Sequence, residues 1–387
     1  MPSAFTGRRR LAALGVATAA VAVLALAAAS LSSADTARTN AAPNLAKLKA
    51  RIDAATALPK FIAPGPAFDT AKVKGKTIFS IPVSTANPFT ANIETAMAGA
   101  AKVLGIKFIE FPNQAQPSQW VQGINQAINQ KVNLIDLLGG VDPAVLAPQL
   151  KQVRAAKIPV GTSHLYDVTQ KPPASIDFSI PADYQHAARL EADWTILDTK
   201  GHADVVVITS NEIVPTAPIV AALKDEFAKE CGSACKLTFI NAPVPDWATK
   251  ITPNVQSALV KDPNINYVIP IYDSMSQFVV PAITAAGKKG KVSIATYNGT
   301  PFVMGYLAQG NVVKFEVGEN LNWLGWAYID AEARILAGLK LPKTFNEHTA
   351  ERAFTAANIK DAGNPPQLST GYGNAYVKGY KKLWGVK

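Results

Sequence analysis

The chain is predicted to be an α/β protein built as two doubly wound parallel-sheet lobes. Three observations predict this. From Lys76 onward short β-branched apolar runs alternate with helical stretches, the pattern of a parallel sheet covered by helices on both faces. The alternation starts afresh after Asp183, so the pattern is carried twice. With 387 residues, 48% apolar and 17% charged, the chain has enough length and apolar content for two compact cores.

The N-terminal residues stand apart. Arg8, Arg9 and Arg10 precede an Ala, Val and Leu run from Leu11 to Ala29, and small residues follow to Ala34. That is the order of a secretory signal spanning residues 1–34. An uncleaved anchor helix is the alternative, since the run is just long enough to span a bilayer. Ser32, Ser33 and Ala34 suit a peptidase and alanine is weakly hydrophobic, so cleavage is expected. The paired arginines admit twin-arginine export beside the general route. No cysteine follows the apolar run, which argues against a lipid anchor. The mature chain is therefore expected on the periplasmic or extracellular side of the cytoplasmic membrane.

The formal charge of +10 falls to +7 without residues 1–34, which hold three arginines and no acid. Lysines such as Lys288, Lys289 and Lys291 are scattered without interleaved aromatics, so no nucleic-acid role is expected. Cys231 and Cys235 flank Gly232, Ser233 and Ala234. In an oxidising compartment they predict a local disulfide at a helix end. No second cysteine or histidine pair accompanies them, so neither a metal nor another cofactor is expected.

Along the chain, residues 35–75 read as a leader. A short amphipathic helix around Leu45, Leu48 and Ile52 is followed by Pro59, Pro64, Gly65 and Pro66, which bar helix; a tether packed on the surface is expected. Thr77–Val83 is the first strand, Ile93, Met97, Ala101 and Leu104 mark a helix, and Lys107–Phe111 is the second strand. Val121, Ile124 and Ile128 lead by helix into Asn133–Leu138; Leu146, Leu150 and Val153 lead into Ile158–Thr162. The second series has strands at Asp204–Thr209, Leu237–Ile240, Tyr267–Ile271 and Val292–Thr296, with helices from about Pro218, Trp247 and Ser276.

In doubly wound sheets ligands settle where the carboxyl ends of strands open a crevice. That rule selects Asn87 and Phe89, His164 and Tyr166, Asn211 and Glu212, Asp246 and Trp247, Tyr272 and Asp273, and Asn298. Asn87-Pro88-Phe89, Ile158-Pro159-Val160, Asp246-Trp247, Tyr272-Asp273-Ser274-Met275 and Tyr297-Asn298-Gly299-Thr300-Pro301 follow one another in this order. In these motifs the chain resembles, over roughly residues 76 to 355, the type I periplasmic sugar-binding proteins, the ribose-binding-protein-like family.

The resemblance implies two lobes joined by a three-strand hinge, the type I periplasmic binding protein fold. Its crossings are expected near Ile180, at Asn298 to Thr300 and at Val317 to Asn320, with a helix from about Trp323 to Leu336 back on the first lobe. One lobe is then 76–180 plus about 320–345, the other 181–318 plus about 346–387 with the tail. The resemblance further implies hinge closure on a ligand and delivery of it by a monomeric binding protein to an ABC permease.

Carried over residue by residue, Asn87 and Phe89 match a polar contact and a ring-stacking aromatic. Asp246-Trp247 supplies a second aromatic facing Phe89. The expected ligand set is Asn87, Phe89, His164, Tyr166, Asp246, Trp247, Tyr272, Asp273, Asn298 and Glu319. The departures are as informative. His164-Leu165 stands where the family has Asp-Arg, Ala217 where it has a second-lobe arginine, Leu138 where it has a polar residue, Asn298 for the hinge Asp and Glu319 for the hinge Gln. A bidentate charged clamp on sugar hydroxyls is thus missing.

Several residues keep a plainer reading. Asp273 either contacts ligand or caps the following helix. Glu319 is a ligand acceptor or the partner of a nearby lysine, and His164 a ligand contact or a satisfied loop histidine. Trp120, Trp323 and Trp326 recur on helices and are expected in the core. No nucleophile elbow, phosphate loop or zinc-binding helix is present, so no enzyme is expected. The ligand expected is a small carbohydrate or sugar-like polyol. The alternatives are a cationic or aromatic molecule held among Asp246, Asp273, Glu319 and the rings, or a ligand presented to a sensory system.

Overall fold

A computed structural model describes residues 42–310 and 312–386; the expected export signal lies outside the described residues. After α1 (Leu45–Ala55) the chain runs through β1 (Thr77–Pro82), α2 (Pro88–Leu104), β2 (Lys107–Glu110), α3 (Pro117–Asn129), β3 (Leu134–Leu138), α4 (Ala147–Ala155), β4 (Val160–Asp167) and β5 (Phe178–Ala182). The five strands form one sheet in the order β2-β1-β3-β4-β5, every pairing parallel. Then come α5 (Tyr184–Asp198), β6 (Asp204–Thr209), α6 (Thr216–Glu230), β7 (Lys236–Asn241), α7 (Trp247–Lys261), β8 (Tyr267–Pro270), α8 (Ser276–Ala285), β9 (Ser293–Asn298), α9 (Pro301–Ala308) and β10 (Val313–Glu319). The chain ends with α10 (Leu321–Leu336), β11 (Glu351–Phe354) and α11 (Ala375–Trp384). The second sheet has the order β11-β10-β9-β8-β6-β7, parallel except for β11, which pairs antiparallel with β10.

Local sequence accounts for these elements. All five residues of β3 are buried, which is why Leu-Ile-Asp-Leu-Leu does not alternate: helices cover both faces of the sheet. Asn87 Oδ1 accepts from Phe89 N at 2.9 Å, Pro88 opens α2, and Gly105 ends it at φ 68, so cap, first turn and stop are each written in the chain. In the first lobe α2 and α10 share one core with Ile78 and Leu134, while Ile124 and Val153 of α3 and α4 build the other. In the second lobe Ala188 and Leu223 of α5 and α6 lie on one face, and Ile251, Val279 and Met304 of α7 to α9 on the other. The tryptophans behave as expected: Trp323 stacks on Tyr376 and Trp326 on Trp384.

Three crossings join the lobes, at 182–184, 319–321 and 345–351. The first lies just past Ile180 and the second at the end of the Val317 to Asn320 stretch. The turn Asn298 to Thr300, expected as another, stays within the second lobe, because Val303, Met304 and Leu307 of α9 pack back into its core. The return runs instead through Phe345, whose N–H donates to Ser179 O at 2.8 Å, before β11 joins the second sheet. The tail divides. Tyr372 lies in the second-lobe core, whereas Tyr376, Tyr380 and Trp384 of α11 sit in the first. A helix with these apolar residues on one stripe needs a partner, and α10 offers one.

The leader is more than a tether. Leu48 and Ile52 of α1 are buried against α5 of the second lobe. Further along, the Phe61 ring lies 6.1 Å from Trp323 and 5.0 Å from Tyr380 in the first. Arg51 anchors the second-lobe end: it pairs with Asp193 at 2.7 Å and Glu226 at 2.8 Å, both side chains 1% exposed. The disulfide Cys231–Cys235 follows α6, with its Cα atoms 5.7 Å apart.

Both lobes bury many carboxyls. Asp136 of β3, Glu94 of α2 and Glu332 of α10 are buried in the first lobe, and Glu191, Glu316 and Glu351 in the second. Loss of water raises all six; Asp136 and Glu351 are each pushed up to about 7.

Two outcomes follow. Arg51→Ala leaves Asp193 and Glu226 without their guanidinium and is expected to cost about 2 kcal/mol, below the roughly 3–5 of a fully buried pair because Arg51 is partly exposed; the urea midpoint reads it. The buried carboxyls hold protons that the unfolded chain has already released above about pH 4. Stability therefore falls as pH rises from about 4 through about 7, and thermal unfolding is expected at a higher temperature near pH 5 than near pH 8.

Candidate ligand-binding cleft

Residues that end or follow strands of both sheets meet around one cavity. Val83 follows β1, Asn87, Phe89 and Thr90 open α2, Gly139 follows β3 and His164 lies in β4; these are the first lobe's share. The second lobe adds Tyr184, Ile213, Pro215, Val244, Trp247, Tyr272, Ser274 and Asn298. The lobes touch here: Ser274 Oγ donates to Asn87 Oδ1 at 3.3 Å, and Ile213 packs into the first lobe's core.

Phe89 and Trp247 thus contribute aromatic surface from opposite lobes. The Phe89 ring lies 4.9 Å from His164 at a 57° tilt, and Trp247 stacks on Tyr272 at 6.4 Å. The indole N–H donates to Ser210 Oγ at 2.9 Å and Ala242 O at 3.1 Å. The Tyr272 hydroxyl meets Thr216 Oγ1 at 3.0 Å, and burial raises its phenol. These rings are held by their polar tips, which leaves their apolar faces for the cavity.

Two lining residues have unusual backbones, His164 at φ 54 and Asn298 at φ 143. Such conformations persist where surroundings over-determine them, and here they do. His164 Nε2 lies 2.8 Å from Glu319 Oε2; the Tyr184 hydroxyl lies 2.6 Å from Nδ1 and donates to the His164 carbonyl at 2.7 Å. The kink at His164 also breaks the β4–β5 register, which resumes at Asp167 opposite Ala182, so the strand expected at Ile158–Thr162 begins later and runs on to Asp167. Beyond Asn298, Gly299 sits at φ 84, where a Cβ would come within 2.8 Å of Glu319 O; only glycine fits. Gly299 N donates to Glu316 Oε1 at 2.7 Å, and Thr300 N and Oγ1 donate to the two oxygens of Asp273 at 2.6 and 2.7 Å. Burial pushes Asp273 up to about 7 against these hydrogen bonds. It raises Glu316 well above its usual range, with Asp273 beside it adding to the rise.

The cavity therefore gathers Asn87, Phe89, His164, Trp247, Tyr272 and Asn298 from the expected set. The other four are placed elsewhere. Tyr166 is buried off the cavity, its phenol pushed up to about 12 by burial and by nearby Asp142. Asp246 pairs with Lys250 at 2.6 Å, Asp273 holds the Thr300 turn, and Glu319 is the partner of His164 rather than of a lysine. The carboxylates grouped for a cationic ligand are thus engaged within the protein. Leu138 is core. Tyr184, Ile213, Val244 and Ser274 were not singled out by sequence; the last three lie within two residues of a position that was, so extending the strand-end rule to the next loop residues would have found them, whereas Tyr184 follows β5, which was not read as a strand of the first sheet. Among the described residues no group of three or more His, Cys, Asp or Glu side chains is placed to hold a metal ion.

Two doubly wound lobes meeting over an aromatic-lined cleft define a two-lobed binding protein. Residues 78–340, well over half of the chain, match the family model described as the periplasmic binding protein domain, and the chain belongs to that family. No curated protein sequence matches it. Among solved structures it is similar to an ABC transporter solute-binding protein from Agrobacterium vitis with bound allitol, at 22% identity over 76% of this chain and 99% of that one, TM-score 0.66. A 5-methylthioribose transporter solute-binding protein from Thermotoga lettingae, with 5-methylthioribose bound, aligns at 19% identity over 80% and 97%, TM-score 0.67. A Mycobacterium smegmatis protein in complex with β-D-fucofuranose aligns at 21% identity over 75% and 94%, TM-score 0.64.

Tyr184→Phe removes the hydroxyl that meets both the ring and the carbonyl of His164. It is expected to cost about 1–2 kcal/mol in urea unfolding; an unchanged midpoint would show that Glu319 alone holds the ring.

Proposed function

We propose that this chain is the extracytoplasmic solute-binding component of an ABC importer, capturing a small sugar-like ligand between its lobes and handing it to a membrane permease. One observation carries the reading: Phe89 and Trp247, from opposite lobes, border a single cavity at the carboxyl ends of both sheets. A sugar ring between such surfaces loses water from its C–H faces while polar groups at the rim orient it. The family match and the sugars and polyols bound by the similar structures support the same ligand class. The chain acts as an exported monomer that binds its ligand without converting it.

Asn87, Phe89, His164, Trp247, Tyr272 and Asn298 are the proposed contacts. Asp273 and Glu319 act behind them as positioning residues, through Thr300 and His164. Closure would bring the two aromatic surfaces together and commit the ligand.

A thermal-shift panel of allitol, 5-methylthioribose, fucose, tagatose and arabinose tests this. At least one compound is expected to raise the unfolding temperature, because a ligand bound to the folded state alone stabilises it. Trp247→Ala should remain folded and lose at least about tenfold in affinity for that compound, since large ring contacts dominate such sites. Unchanged affinity would remove Trp247 from the site.

A further inference from the structure

We infer that the solute of this cleft is a neutral, sparsely hydroxylated ring, a sugar-like compound whose hydroxyls have been removed or alkylated, rather than a parent pentose or hexose. The inference rests on the solute-capture reading and narrows it.

The polar inventory of the cavity carries the argument. Both ring nitrogens of His164 are engaged within the protein. So are the hydroxyls of Tyr184, Tyr272 and Ser274. Asn87 has its Oδ1 on Phe89 N and Ser274 Oγ. Among the lining side chains, what remains without a hydrogen bond to another described group is the Asn87 amide nitrogen and the whole Asn298 carboxamide. No Asp, Glu, Lys or Arg is among the lining residues.

Two amide groups offer about four donor hydrogens and one acceptor oxygen between them, and beyond these the engaged Tyr272 and Ser274 hydroxyls can accept only through their spare lone pairs. A parent sugar ring brings four or five hydroxyls, each both donor and acceptor, and a hydroxyl closed into a dry site without a partner weakens binding. The rest of the wall suits carbon. Val83, Ile213 and Val244 join Phe89 and Trp247, and a methyl, methylene or thioether group in place of a hydroxyl would lie against them with no polar group stranded. The site thus discriminates by what it lacks, through the unpartnered hydroxyls a parent sugar would bury.

Isothermal titration of the purified chain with matched pairs tests this: ribose against 5-methylthioribose, galactose against 6-deoxygalactose, glucose against 1,5-anhydroglucitol. The reduced or capped member is expected to bind at least about tenfold tighter than its parent in the pair that binds best. A parent sugar binding as tightly as its partner overturns the inference while leaving solute capture standing. If no member of any pair binds a chain that is folded by circular dichroism, the capture reading falls and the inference with it. Ile213→Asn adds a carboxamide to the wall away from the crossings, and it is expected to narrow the preference for the capped member by about tenfold. Asn298→Asp, which adds a charged acceptor, should act in the same direction. A preference unmoved in both folded variants also overturns the inference.

Discussion

The hydrogen bond between His164 and Glu319 ties the two lobes together where they meet. His164 belongs to β4 of the first sheet, and Glu319 ends β10 of the second, where the chain crosses back. Because the carboxylate is turned onto the imidazole, it does not reach the cavity, and because Tyr184 engages the other ring nitrogen, His164 meets the ligand space with carbon. The two polar groups thus meet each other rather than the cavity. The same logic runs through the turn after β9, where Asp273 and Glu316 hold the backbone of Gly299 and Thr300 and leave Asn298 as a neutral rim group. Polar residues that sequence marks as ligand contacts thus serve the architecture, and the surface they support is aromatic and aliphatic.

The passages between lobes set the mechanical frame for that surface. Beyond the three crossings of the core, the leader runs from α1 on the second lobe to Phe61 on the first, and the tail runs from Tyr372 on the second to α11 on the first. Neither segment lies within residues 78–340, the part matched to the family. Five segments rather than three thus pass between the lobes, and the leader is anchored by side chains at both ends: Arg51 among buried acids at one, Arg334 on Pro66 O and over the Phe68 ring at the other.

How much of this was legible depended on whether a signal was local. Strands β1, β3, β6 and β8 are predominantly apolar runs and could be read directly, and the caps and stops of α2 are written in Asn87, Pro88 and Gly105. β11 was missed because Glu351–Phe354 is four residues long and has no pattern of its own; it exists because β10 offers an open edge. α11 was left to the wrong lobe because its apolar stripe says only that it is buried, not against which partner. In the cleft, Phe89 and Trp247 were found because each opens a helix just past a strand. Asp273 and Glu319 were expected at the ligand; their carboxyls are turned onto Thr300 and His164, since the orientation of a carboxylate depends on partners far away in sequence.

By itself, then, the sequence determined the layered α/β plan, the doubling into two lobes, the disulfide at the end of α6 and the set of loops that border the cleft, because periodicity, caps and strand ends are properties of neighbouring residues. Tertiary structure alone decided where the chain crosses, which lobe each terminal helix joins and which polar groups remain free for a ligand. Those outcomes turn on partners such as Glu319 and His164, 155 residues apart, and no local pattern encodes which of two distant groups will meet and satisfy the other.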